Sequence, residues 1–426
     1  MIEKKEFNEK VNEFLNKYFS GRDIYSMSLE ELEIFKREVE QKRQEYGLLE
    51  MGSKILANAA YGACASPYFY FFNPSLAGDI TGECRELTQT MWKNLNEFFR
   101  ETIWERKDLW EKFGFELDEK KRNWLETKDL AIYSDTDSVY TTYGPLFHAM
   151  TKESQEKYAT DESKIDFILR FNKEFLDIQN NKWCEEMYGP RFGKNVHEFE
   201  LETISKSQIV IKKKKYLKGL VYNKGKILKT PKVSGTGIEI IKSTTPKLCR
   251  EILTDLMRTL MFDFTEDNKE EFILEFNEKL KKYKKQFYTA PYEDISQSVG
   301  IGDYRKFVIN DDSMLEFEKR VPPSVHAIAR FNYLAKKNGE KQKCLYSGKI
   351  KYYNVRIGQQ RKNPTMGFFG FPAGELPEWR PEMDKLVQWE KTVINPINRF
   401  LEVMNIPLAT ACDQVQMTIP GLFDGL

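Results

Sequence analysis

Ala131-Ile-Tyr-Ser-Asp-Thr-Asp-Ser-Val-Tyr140 is the stretch on which the reading of this chain turns. Two apolar, β-prone arms, Leu130 to Tyr133 and Val139 to Tyr143, flank a tight polar turn, which is the pattern of a β-hairpin. Asp135 and Asp137 stand one residue apart at its tip. Like charges that close repel each other and lose hydration, so a cation between them relieves both costs. A carboxylate-lined turn suits Mg²⁺, which takes a few carboxylates and keeps other positions for water and phosphate oxygens. A plain solvated turn is the other reading, since Asp and Ser are good turn formers. The rest of the chain decides between them.

Downstream of the hairpin the charge balance changes. From Ser205 to Arg250 there are thirteen basic residues: Lys206, Lys212 to Lys215, Lys218, Lys224, Lys226, Lys229, Lys232, Lys242, Lys247 and Arg250. A single acid, Glu239, stands against them. The whole protein carries a net charge of only +1, so this concentration is an electrostatic footprint for a polyanion. A solvated charge run fits less well, because the lysines alternate with strand-like Ile209, Ile211, Tyr216, Leu217 and Val221. A nuclear-targeting run needs a disordered segment, which this is not. Strands are expected at Val196 to Leu201 and Gln208 to Ile211.

Upstream, Phe7, Val11, Phe14, Leu15 and Tyr18 recur at helical spacing. Ser28 with Glu31 makes a capping box for a second helix carrying Leu32, Phe35 and Val39, and the two form an antiparallel pair. A further helix is expected from about Leu48 to Tyr61, closed by Gly62. It sets Lys54, Asn58 and Tyr61 on one face, at i, i+4 and i+7. A Lys, an amide and a phenol so aligned can meet a phosphate, a base-pair edge and a stacking surface; a surface Lys beside two partly buried residues is the alternative. Residues 66 to 75 are too aromatic for a linker and are expected to pack beneath a sheet. Asp79 to Phe99 reads as an amphipathic helix, and Arg100 to Asp129 as an elaborated, highly charged connection.

Beyond the basic run, helices are expected after Thr245-Pro246, at Lys269 to Phe287 and at Leu386 to Met404. A β-like insertion lies around Lys349 to Val355, and Asn363 to Pro377 reads as irregular. Leu422, Phe423 and Leu426 sit on a tail that either docks on a partner or packs on the body of the protein. At 426 residues the chain exceeds a single core and implies two or three domains. No apolar run is long enough to cross a bilayer and no apolar leader follows Met1, so a cytoplasmic protein is expected. Six scattered cysteines without a Cys-x-x-Cys pair argue against a zinc site, and three histidines leave little room for His-based catalysis.

Lys54-x-x-x-Asn58-x-x-Tyr61-Gly62, Asp135-Thr-Asp-Ser138 and Lys213-Lys-Lys-Tyr216 occur in that order. The set resembles the polymerase half of family B DNA polymerases, especially the replicative enzymes of large tailed phages. The likeness continues through Gly237-Ile-Glu, Ser243-Thr-Thr-Pro-Lys247, Phe371 to Pro377 and the closing Leu-Phe-Asp, covering the chain from about residue 44 onward. It implies an α+β fold, a partial polymerase right hand: fingers at 1–80, an antiparallel β palm at 81–244, a mainly helical thumb at 245–412 and a clamp-binding tail at 413–426. By the same resemblance Lys54 would contact the phosphates of the incoming dNTP, with Asn58 and Tyr61 at the nascent base pair. Asp137 would ligate the two catalytic Mg²⁺ ions, with Asp135 beside it. Lys213, Lys214, Lys215 and Tyr216 would hold primer–template DNA. Glu202 matches a palm acid more loosely, and Leu422, Phe423 and Leu426 would bind a sliding clamp.

The departures matter equally. The family usually has Gly where Ser134 stands and Ser where Ala59 stands. No Asp-x-x-Ser-Leu-Tyr-Pro-Ser-like segment supplies the second metal-binding Asp, and the paired fingers helix and the exonuclease motifs are missing. The expectation is therefore the C-terminal subunit of a split polymerase, active only with an N-terminal polymerase/exonuclease subunit. A catalytically inactive accessory protein that binds DNA or a clamp is the alternative.

Overall fold

Ser28 opens the longest helix of the computed structural model, which describes residues 14–409 apart from 20, 22, 25, 194–196, 310–314, 357–366 and 408. The Ser28 hydroxyl accepts the Glu31 N–H, and the Glu31 carboxylate accepts the Ser28 N–H, so the expected capping box forms. Helix α1 then runs unbroken from Leu29 to Ala65. The sequence reading divided it in two and stopped it at Gly62. The bridging residues 40–46 are good helix formers, and the pairs Lys42–Glu45 and Arg43–Glu40 add i,i+3 support. These offset the roughly 1 kcal/mol that each of Gly47 and Gly52 costs relative to Ala. Residues 14–19 are helical and pack on α1, with Phe19 edge-on to Phe35 at 5.0 Å. No residue of α1 itself is buried.

A tight connection leads to α2 (Pro74–Glu97), closed by a hydrogen bond from the Asn73 N–H to the Cys64 carbonyl. Here the expectation fails. Instead of packing under a sheet, the aromatic residues radiate outward, with Tyr68 98% and Tyr70 93% exposed. A turn this short fixes the backbone but leaves the side chains nothing to close upon. The inward face of α2 is as expected: Leu87, Met91 and Leu95 are buried, as are Phe98 and Phe99 in the π-helical turn Phe98–Thr102 that follows.

The contacts divide the chain into two units, one comprising Met1–Lys93 with Thr136–Ser138, the other the remainder. In the second unit, the stretch read as a charged connection is folded. It includes α3 (Lys107–Phe113), and Trp104, Trp110, Phe113 and Leu125 are buried within it. Its charges lie outward while its tryptophans build a core, with the Trp110 indole N–H donating to the Ile103 carbonyl. After the hairpin, β1 (Ala131–Asp135) and β2 (Ser138–Thr141), come α4 (Asp161–Phe171) and α5 (Asp177–Phe192). Phe167, Phe171 and Phe175 of this region join Phe99 and Phe113 in one aromatic core.

An antiparallel sheet follows, β3 (Thr203–Lys212), β4 (Lys215–Asn223) and β5 (Lys226–Thr236), in sequential order. Residues 197–201 are not a strand; the Phe199 N–H donates to the Asn181 side chain rather than to a ladder. The rest of the second unit is built on α6 (Lys247–Phe262), α7 (Lys269–Thr289), α8 (Pro323–Lys337) and a second antiparallel sheet. That sheet is β6 (Gln297–Ile301), β7 (Gly348–Asn354) and β8 (Phe368–Pro372), the last lying inside the stretch read as irregular. Gly and Pro obscured a short strand whose Phe369 and Phe371 are fully buried. Finally α9 (Lys385–Trp389) and α10 (Asn395–Val403) close a continuous core with α6 and with Ile209, Leu217 and Val233 of the first sheet. The architecture is α+β with antiparallel sheets.

Candidate nucleic-acid interface

Buried Asn96 fixes the entry to the hairpin. Its side-chain oxygen accepts the N–H groups of Leu130 and Ala131 at 2.8 and 2.9 Å, and its amide nitrogen donates to the Ala131 carbonyl at 3.4 Å. A half-satisfied buried amide would be costly, so this full set pins the first strand to its helix. The Thr142 N–H donates to the Leu130 carbonyl at 2.7 Å and closes the base. Asp135 ends β1, Thr136 takes the left-handed conformation at φ 56°, and Asp137 follows in the turn, exposed. Within the first unit, the Thr88 hydroxyl donates to the Thr136 carbonyl at 3.0 Å.

Asp135, with a side chain only 15% exposed, faces Lys214, whose Nζ lies 3.5 Å from the carboxylate. Lys214 sits in the two-residue turn between β3 and β4, where Lys212 pairs with Lys215 across the ladder. Its φ of 57° is one that L side chains rarely adopt. The turn divides its own cations. Lys213 and Lys214 point outward and are exposed. Lys215 is turned in, 3.9 Å from Glu239, and Tyr216 is buried.

Glu239, the lone acid of the basic region, gathers three cations. Arg399 of α10 lies 2.6 Å away, Lys242 3.3 Å and Lys215 3.9 Å. Burial opposes the charged form of this carboxyl, and Arg399, Lys215 and Lys242 overcome that effect, holding it below its usual range. For Lys215, burial lowers the ammonium's affinity for its proton, against the opposing pull of Glu239.

The other residues singled out by sequence distribute as follows. Lys54, Asn58 and Tyr61 all lie on α1 of the first unit and are exposed, at the spacing that gives them a common face. Glu202 precedes β3, at the end of that strand far from Lys214. A ten-residue strand rising about 3.3 Å per residue separates it from the Asp135 neighbourhood, and its carboxylate faces Lys224 at 3.6 Å. The structure does not bring Glu202 to the hairpin. Among the described residues, no group of three or more His, Cys, Asp or Glu side chains is placed to hold a metal ion. Leu422, Phe423 and Leu426 lie outside the described residues. No described helix is long and apolar enough to cross a membrane.

Over 221 residues the chain is 22% identical to the DNA-directed DNA polymerase of Escherichia phage RB69, a match covering 50% of this chain and 22% of that protein. Over 270 residues it is 20% identical to the DNA-directed DNA polymerase of Enterobacteria phage T4, covering 61% of this chain and 26% of that one. The chain is similar in sequence to these two phage DNA polymerases. The matches span about a quarter of the phage polymerases' length. No family model matches the chain. Sequence reasoning about a phage-polymerase-like site passed over Asn96, Tyr133, Tyr140 and Arg399, and quoted Gly237 and Glu239 without giving them a task. A single acid among thirteen cations was the available signal for Glu239.

Proposed function

We propose that this chain is one part of a DNA-directed DNA polymerase, supplying a fingers helix, a carboxylate-bearing palm hairpin, a duplex-binding turn and a thumb. One observation carries the reading. The basic turn and the carboxylate hairpin are held side by side, with Lys214 3.5 Å from Asp135. Phosphoryl transfer asks the protein mainly for positioning and charge neutralisation, and these two turns bring both kinds of group together. Lys213 and Lys214 would engage duplex phosphates, which hold DNA without reading its sequence. Lys215 and Tyr216 would serve the same contact from behind, by fixing the turn. Lys54, Asn58 and Tyr61 would meet the incoming dNTP.

Asp135 and Asp137 are oxygen donors of the kind Mg²⁺ accepts, and they fit as part of a donor set rather than a whole one. Bound Mg²⁺ would neutralise charge on the attacking and leaving oxygens. The remaining palm carboxylate and the exonuclease belong, in this reading, to a polypeptide segment outside these residues. Exposed Leu48 and Leu56 on α1, and exposed Tyr68 and Tyr70 in the connection that follows it, support a large missing neighbour.

The test is primer extension. The chain combined with a polypeptide bearing the second palm carboxylate should extend a primer, and Asp137→Ala should lower the rate about a thousandfold, the equivalent of several kcal/mol of lost charge stabilisation. Extension that survives Asp137→Ala sinks the catalytic reading and leaves a non-catalytic DNA-binding accessory. Replicase-rate extension by the chain alone sinks the split-site reading.

A further inference from the structure

The basic turn is held from more than one side, and one of the groups holding it comes from the hairpin. The Lys214 N–H donates to the Tyr133 hydroxyl at 2.9 Å. Tyr133 stands two residues before Asp135 on β1, so the strand that ends in the carboxylate also grips the backbone of the lysine facing it. Its ring packs edge-on against Tyr140 and Tyr216, at 5.3 and 5.6 Å, and those two share a hydrogen bond of 2.8 Å between their hydroxyls. Lys218 lies over the Tyr140 and Tyr216 rings at 5.1 and 5.8 Å, a cation–π contact that closes the cluster.

On the opposite side, the backbone of Gly237 presses on the same residue. Gly237 has φ +67°, and a Cβ there would stand 2.3 Å from the Lys214 carbonyl oxygen. No real Cβ contact is that short, so the approach requires glycine. Lys214 thus has its N–H held by one neighbour and its carbonyl crowded by another. A non-glycine residue at positive φ costs on the order of 1 kcal/mol or more and persists only where the surroundings over-determine it. Here they do.

We propose that Tyr133 is a positioning residue, whose hydroxyl sets Lys214 in the left-handed conformation that presents Lys213 and Lys214 to duplex phosphates beside the hairpin carboxylate. The inference rests on the polymerase reading above. Lysine is a flexible point charge on a long stem, so fixing its backbone is the available way to fix where the charge is offered. The bland role for Tyr133, filling an aromatic cluster, needs only its ring. Tyr133→Phe keeps that ring and removes the hydroxyl, so it separates the two.

The experiment is fluorescence anisotropy of a labelled primer–template with the full chain, repeated across a salt series for wild type, Tyr133→Phe, Lys214→Ala and the double variant. Loss of one modest hydrogen bond should weaken binding about fivefold. The salt slope should fall by roughly the 0.9 of one phosphate contact, as for Lys214→Ala. The double variant should bind no worse than Lys214→Ala alone, because both changes remove the same contact. Gly237→Ala, which disturbs the same turn from the other side, should reproduce the loss of slope. Tyr133→Phe with wild-type affinity and slope, or a loss that adds fully to that of Lys214→Ala, overturns the positioning role while leaving the polymerase reading intact. Failure of the unaltered chain to bind duplex overturns the polymerase reading, and this inference with it.

Discussion

Lys213, Lys214 and Lys215 are consecutive and chemically identical, yet the fold gives them different surroundings. Two are exposed and one is half-buried against Glu239. Lys213→Ala should therefore reduce the salt dependence of duplex binding by about 0.9, the contribution of one phosphate contact. Lys215→Ala should leave that slope unchanged and lower the unfolding midpoint instead. Binding to a labelled primer–template across a salt series, with urea unfolding in parallel, checks both outcomes; equal slopes for the two variants would refute the division. A run of four lysines shows in sequence that positive charge is concentrated, but not which member is withdrawn from solvent. That depends on Glu239 and Arg399, 24 and 184 residues beyond Lys215.

At the scale of elements, the carboxylate of Glu239 joins the start of β4 to α10. Its affinity for protons is depressed in the folded chain, so its contribution to stability is present above the ordinary carboxylate range, about 4.3, and is lost as the pH falls through the lower, folded value. Glu239→Gln should cost about 2 kcal/mol at neutral pH, where it leaves three cations without their counter-ion, and should flatten the acid limb of a stability–pH curve. Chemical denaturation from pH 3 to pH 7 measures this, and parallel curves for the two proteins would contradict it. The hairpin, α6 and α7 were legible in the sequence because each carries its own periodicity, and the hairpin its own turn. The continuity of α1, the fold of 100–129 and strand β8 were not. In the last two, local composition points one way and tertiary burial another: charges mask Trp104 and Trp110, and glycine and proline mask Phe369 and Phe371. In α1, where no residue is buried, Gly47 and Gly52 hid a helix that its local helix formers carry through. The aromatic stretch 66–75 erred in the opposite sense, since hydrophobicity alone cannot say what covers it.

For the molecule as a whole, we also propose that Leu422, Phe423 and Leu426, which lie outside the described residues, bind a sliding clamp. Deleting Gly421 to Leu426 should shorten the products made in the presence of the clamp and spare distributive synthesis in its absence. Equal loss in both assays would mean that the tail serves folding. Both measurements are made with the chain combined with the polypeptide that the proposal supplies for the second palm carboxylate.

The open face of α1 and the aromatic turn at Tyr68 to Phe72 bear on the fate of the free chain in the cell. Uncovered apolar surface of this kind is what chaperones retain, proteases clear and aggregates grow from. On the proposed reading, a copy made without the polypeptide that covers that face would have a short useful life. If the proposal holds, supply of that polypeptide, rather than synthesis of this chain, would set how many working copies accumulate.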